Sequence, residues 1–142
     1  MLVLVAQFLL GTAVNLFVKI PADHPGAHSS AYFSGLLQSV TWAVLHGWVL
    51  LSLHAILGLI LLVGSIAVLV TAVRQRARRH IVVGALGVMG VIAAGFNGGS
   101  FLVFGEDYSS YLMAVGFAVA VLAYTTGLFI SCASPTHGHD MR

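Results

Sequence analysis

The segment from His46 to His80, HGWVLLSLHAILGLILLVGSIAVLVTAVRQRARRH, limits what this chain can become more than any other. Between His54 and Arg74 stand nineteen residues with no charge, amide or imidazole. As a helix, such a run is long enough to cross the hydrocarbon of a bilayer, about 30 Å thick. It stops at Arg74, Arg76, Arg78 and Arg79, four cations in six residues. Arginines clustered at the end of an apolar run mark the cytoplasmic end of a span, so this stretch is both placed and oriented.

The rest of the chain fits that beginning. Of its 142 residues 59% are hydrophobic and 7% charged, whereas soluble domains carry about 25% charge. There is room for about four spans of roughly 20 residues. The expectation is all-α: a single integral membrane domain, a four-helix transmembrane bundle in a bacterial cytoplasmic (inner) membrane, with both termini cytoplasmic. The net charge of +2 matters less than its distribution. Arg74, Arg76, Arg78, Arg79 and Arg142 fall on one side, and Asp23, Glu106 and Asp107 on the other. The arginine cluster therefore reads as a topology signal and not as a nucleic-acid patch. Cys132 is alone, which excludes an internal disulfide and intrachain thiol–disulfide transfer. The first twenty residues lack the basic start and small-residue cleavage site of a secretory signal, and read as a retained first helix.

The spans are expected at about 2–20, 45–73, 81–104 and 111–131, with an outer loop or cap over 21–44 and a cytoplasmic tail over 132–142. Pro21 to Gly35 is rich in turn formers. Apolar character then runs from Leu36 to Val73, about 57 Å if helical, nearly twice the hydrocarbon thickness. The part from Leu36 to about Leu45 must lie along the outer surface or project beyond it; Gln38, Ser39, Thr41 and Trp42 suit an interface. Small residues recur at helical spacing: Gly47, His54, Gly58, Ser65 and Ala72 on the second span, Gly87, Ala94 and Gly98 on the third, and Gly116, Ala120, Ala123 and Gly127 on the fourth. Stripes of this kind let helices approach closely in lipid. His54 lies within one, so it is expected to face the bundle.

Polar residues collect in a layer at the outer end, including Asn15, His24, His28, His46, His54, Asn97, Ser100, Glu106, Asp107, Tyr108 and Tyr111. A polar residue inside a span is costly and points to function, and His54 and Asn97 are the two that qualify. The plainer reading of each is a side chain hydrogen-bonded to a neighbouring helix, worth about 1 kcal/mol. Imidazole is an axial ligand to haem iron, and the glycines at 47 and 58 leave space for a flat macrocycle beside His54. The second ligand would come from His24 or His28 in the loop, from Met113, or from His54 of a second copy. Alternatively, Asp23, His24 and His28 with His46, Glu106 and Asp107 offer nitrogen and carboxylate ligands for copper or zinc. Pro25 and Gly26 argue against a helical H-x3-H site there. His137, Gly138, His139 and Asp140 read as a solvated tail, and His80 as an interfacial residue.

Other chemistries are excluded by absence. No acid lies inside a span, against a carboxylate-driven antiporter, and no intramembrane lysine exists to hold retinal. No serine elbow, P-loop or HExxH pattern is present.

The segments AQFLLGTAVNLFV, LHAILGLILLVGSIAVL and GVIAAGFNGG resemble small four-helix bacterial membrane proteins of the actinobacterial type. The layout is also distantly similar to b-type cytochrome bundles, in which a histidine followed by an apolar helix presents one axial ligand. Those bundles carry histidines on several helices, whereas here only the second span has one well inside its ends, so the resemblance implies at most one haem, near the outer face. Two functions follow as the main expectations, beside a channel or carrier for a small solute, which has only Asn15 and Asn97 in its favour. One is a redox or metal-handling, electron-transfer membrane protein that binds haem b, or a copper or zinc ion. His54 is then the principal ligand, and His46, Met113, Asn97 and Asn15 line the pocket. The other is a non-catalytic accessory or assembly subunit, a homodimer or part of a larger membrane complex, in which the stripes bind a partner and the histidines cap helices.

Overall fold

The computed structural model describes residues 1–133, so the expected tail site at His137, His139 and Asp140 lies outside the described residues. Five α-helices follow one another: α1 (Leu2–Phe17), α2 (Tyr32–His46), α3 (Val49–Arg74), α4 (Arg78–Phe104) and α5 (Asp107–Ala133). The described residues contain no strand. With 26, 27 and 27 residues, α3, α4 and α5 are apolar enough to cross a membrane. Each is about 40 Å long, more than the hydrocarbon requires.

The closest packing is between α4 and α5. A Cβ on Gly90 would stand 2.6 Å from the Ala120 nitrogen, and one on Gly116 would stand 2.7 Å from the Ala94 nitrogen. The two backbones touch, as small residues allow where lipid removes the hydrophobic drive. The small-residue stripes on these helices are therefore largely occupied within the chain. On its other side α4 meets α3, where Gly84 lies against Leu69.

The hairpin between α3 and α4 ends α3 in a Schellman motif. The Ala77 N–H donates to the Ala72 carbonyl at 3.2 Å, and the Arg76 N–H to Val73 at 3.0 Å. Arg76 takes the left-handed conformation, φ 54°, that such a motif requires and that glycine usually supplies.

The overlong apolar run from Leu36 to Val73 is divided in two. Gly47 and Trp48 are extended, with ψ 165° and 148°, and a Cβ on Gly47 would strike the Ala43 carbonyl. The Ser52 hydroxyl donates to the carbonyls of Ala43 at 2.8 Å and Gly47 at 3.2 Å, closing groups that the end of α2 leaves open. Helix α3 thus begins at Val49, and the 15-residue α2 starts inside the expected cap of 21–44 and runs two residues past its end. Gly35, Ser39 and Ala43, one face of α2, are buried. Tyr32 hydrogen-bonds Ser100 at 2.6 Å and Leu36 covers Gly99, so α2 lies over the last turns of α4.

Helix α1 is shorter than expected. It ends at Phe17 after 16 residues, about 24 Å. It packs along α3, with Gln7 beside His54 and Gly58 and with Gly11 beside His54. Antiparallel register from these contacts sets Leu2 level with about Leu61, so α1 accompanies α3 over roughly its first half.

Candidate functional site

The contact between α1 and α3 holds the polar group that the sequence singles out. His54 is half-buried and turned toward α1. Gly11 is what lets it sit there, because a Cβ at position 11 would stand 2.9 Å from His54 Cε1. Gln7, one turn earlier on α1, is buried. Its Nε2 donates to the His54 carbonyl at 3.3 Å, which fixes the orientation of the amide, and approaches His54 Nε2 at 3.4 Å. A ring that accepts at Nε2 carries its proton on Nδ1. His54 Nδ1 and Gln7 Oε1, a donor and an acceptor, are both buried without a hydrogen-bond partner.

Gly58 does not open space beside the ring. Its Cα faces the Gln7 amide, 3.3 Å from where a Cβ would be. Gly47 belongs to the break between helices and not to the His54 face of α3. On that face Ser65 and Ala72 are buried, as the stripe implies.

The loop before α2 has a different role: it caps α4. The last carbonyls of a helix have no intrahelical donor. Here Phe101 O receives the N–H of Gly105 at 2.7 Å, Leu102 O faces His24 Nε2 at 3.0 Å, and Val103 O receives the N–H of His28 at 2.8 Å. Gly105 supplies the left-handed turn with φ 70°. His24 is 6% exposed. Its other nitrogen, Nδ1, lies 3.0 Å from the Pro25 carbonyl, and its ring stacks on Trp42 with centroids 4.5 Å apart. The Pro25 carbonyl also accepts from the Ser39 hydroxyl at 3.4 Å, which ties the loop to α2.

The remaining expected site residues are dispersed. His28 is exposed and serves the cap through its backbone. His46, the last residue of α2, is exposed, as are Asn15, Glu106 and Asp107. Asp107 opens α5, where a carboxylate complements the helix dipole. Asn97 donates to the Ala93 carbonyl of its own helix at 2.8 Å. Met113 packs its sulfur over Gly98. Among the described residues, no three histidine, cysteine, aspartate or glutamate side chains converge as a metal site would require. His80 reaches α5, with Nε2 3.1 Å from the Ser131 hydroxyl.

Gln7 is the site residue that sequence reasoning passed over. The signal was present, since a glutamine and a glycine four residues apart share one face of α1. Tyr124 was also missed; its ring lies over Gly87, where a Cβ would stand 2.5 Å from Cζ.

No protein-family model matches this chain, and neither a curated protein nor a solved structure matches it.

Proposed function

We propose that this chain is a non-catalytic subunit of a larger assembly in a bacterial cytoplasmic membrane, its histidines serving as fasteners between helices. The carrying observation is His24, which has a carbonyl at each ring nitrogen and an indole against its face, so that it ties loop, α2 and α4 together. His54 similarly joins α3 to α1, and His80 joins α4 to α5. The positive-inside rule sets the arginine hairpin and the end of α5 on the cytoplasmic side and the cap outside. The fourth crossing falls to α1, which at about 24 Å is the shortest of the four.

Exposed Leu2, Leu9 and Leu16, seven residues apart, form the face of α1 away from α3 and suit a partner helix. Tagged protein extracted in mild detergent should carry a second polypeptide, or a second copy of itself, in fixed stoichiometry, and Leu9→Trp should release it. A lone chain with an intact bound cofactor would overturn the reading.

One observation favours a second reading, a haem b or copper or zinc protein centred on His54: the unpartnered Nδ1 of that ring beside the unpartnered Oε1 of Gln7. Such a group would need α1 to move aside, because Gly11 and Gln7 close the ring on that side. His24, held at both nitrogens, is a poor second ligand, and Met113 packs its sulfur over Gly98; the sources left are His28, whose side chain is exposed, and His54 of a second copy. A Soret band, or stoichiometric copper or zinc, that His54→Ala removes would establish this reading. A colourless, metal-free preparation from haem-replete cells would dismiss it.

A further inference from the structure

A groove of about 320 Å³ opens at the arginine hairpin, lined by Ala67, Val68, Thr71, Ala72 and Gln75 of α3 and His80 of α4. It lies on the half of α3 that α1 does not accompany. Its wall is apolar at Ala67, Val68 and Ala72, with the Thr71 hydroxyl among them turned back to the Ala67 carbonyl at 2.8 Å, and polar at Gln75 and His80 by the hairpin. The same hairpin carries Arg74, Arg76, Arg78 and Arg79, all exposed. The acids among the described residues, Asp23, Glu106 and Asp107, belong to the opposite end, in the cap and the turn between α4 and α5.

We propose that this groove binds one anionic phospholipid. An acyl chain runs along Ala67, Val68 and Ala72. The phosphodiester rests at Gln75 and His80, on the hairpin that carries the four exposed arginines and no described carboxylate. A cationic rim at headgroup depth above an apolar wall matches both parts of such a molecule, and each basic residue near the surface strengthens the attraction to anionic lipid. The proposal is independent of whether the chain has a protein partner.

Native mass spectrometry of the full chain, equilibrated with phosphatidylglycerol or with phosphatidylcholine of the same acyl composition, tests it. One phosphatidylglycerol should be retained at least about fivefold more than phosphatidylcholine, and Arg79→Gln should weaken it about fivefold. Ala67→Trp fills the groove and leaves every arginine in place, and it should abolish the preference. Val68→Phe gives the same readout if Ala67→Trp fails to fold. Equal retention of the two lipids, or an undiminished preference in a folded groove-filling variant, would overturn the proposal and assign the arginines to diffuse surface charge alone.

Discussion

His54 and Gly11 meet across the contact of α3 and α1, with the imidazole lying where a side chain at position 11 would begin, 2.9 Å from Cε1. The relationship is reciprocal: the ring requires the glycine, and truncating the ring makes room for a larger residue. Gly11→Val should cost about 2 kcal/mol in the native background, by overpacking. In a His54→Ala background it should cost under about 0.5 kcal/mol, since neighbours in contact are not additive. A double-mutant cycle of unfolding in mixed micelles measures this, and equal costs in both backgrounds would show that α1 does not dock on the ring.

His24 provides a second test, because its packing and hydrogen-bonding roles can be separated. His24→Phe keeps an aromatic ring to stack on Trp42 but takes the imidazole donor from the Leu102 carbonyl, while the Pro25 carbonyl keeps the Ser39 hydroxyl. Losing the partners of buried polar groups should cost about 1–3 kcal/mol. The cap should also exchange its amide hydrogens faster, above all that of His28, which is bonded to Val103. Unchanged exchange at His28 would mean that the cap stands without the imidazole.

Glycines on a single helix should respond in opposite directions. Gly90→Ala drives a methyl group into the Ala120 and Gly116 backbone and should separate α4 from α5, at a cost of about 3 kcal/mol or more. Gly95, on the same helix, has nothing within 4 Å of a Cβ. There alanine should stabilise by about 0.5–1 kcal/mol through helix propensity alone. Thermal unfolding of the two variants decides the matter; similar effects at both positions would contradict the packing.

How much of this was legible beforehand depended on the range of the interaction. The span from His54 to Arg74 and the hairpin after it were readable because a long apolar run and a cation cluster are local signals. The inward turn of His54 followed from its place in a helical stripe. The break at Gly47 and Trp48 was harder, since glycine is common inside membrane helices and only excess length hinted at an interruption. That His24 caps a helix was one of the readings open, but which helix was out of reach, because its partner Leu102 is 78 residues away in the chain. A histidine pair near acids looks like a metal site until the open carbonyls at the end of α4 are seen beside it.

Arg76 offers a prediction at the other end. A residue other than glycine in the left-handed conformation costs about 1–2 kcal/mol, and φ at Arg76 is 54°. Arg76→Gly should therefore stabilise the hairpin by about 1 kcal/mol in unfolding experiments, with the three neighbouring arginines still orienting it. A loss of stability would mean that the guanidinium contributes more than the backbone strain removes.

The claim on which the account turns is that the histidines fasten a subunit and do not hold a cofactor. The native mass of the particle extracted from its own membrane, recorded together with its visible spectrum, tests it most directly. The account predicts a colourless particle heavier than one 14.9 kDa chain by a fixed increment of polypeptide, reduced to the single chain by Leu9→Trp. A single chain bearing one equivalent of haem or metal, lost on His54→Ala, would contradict it.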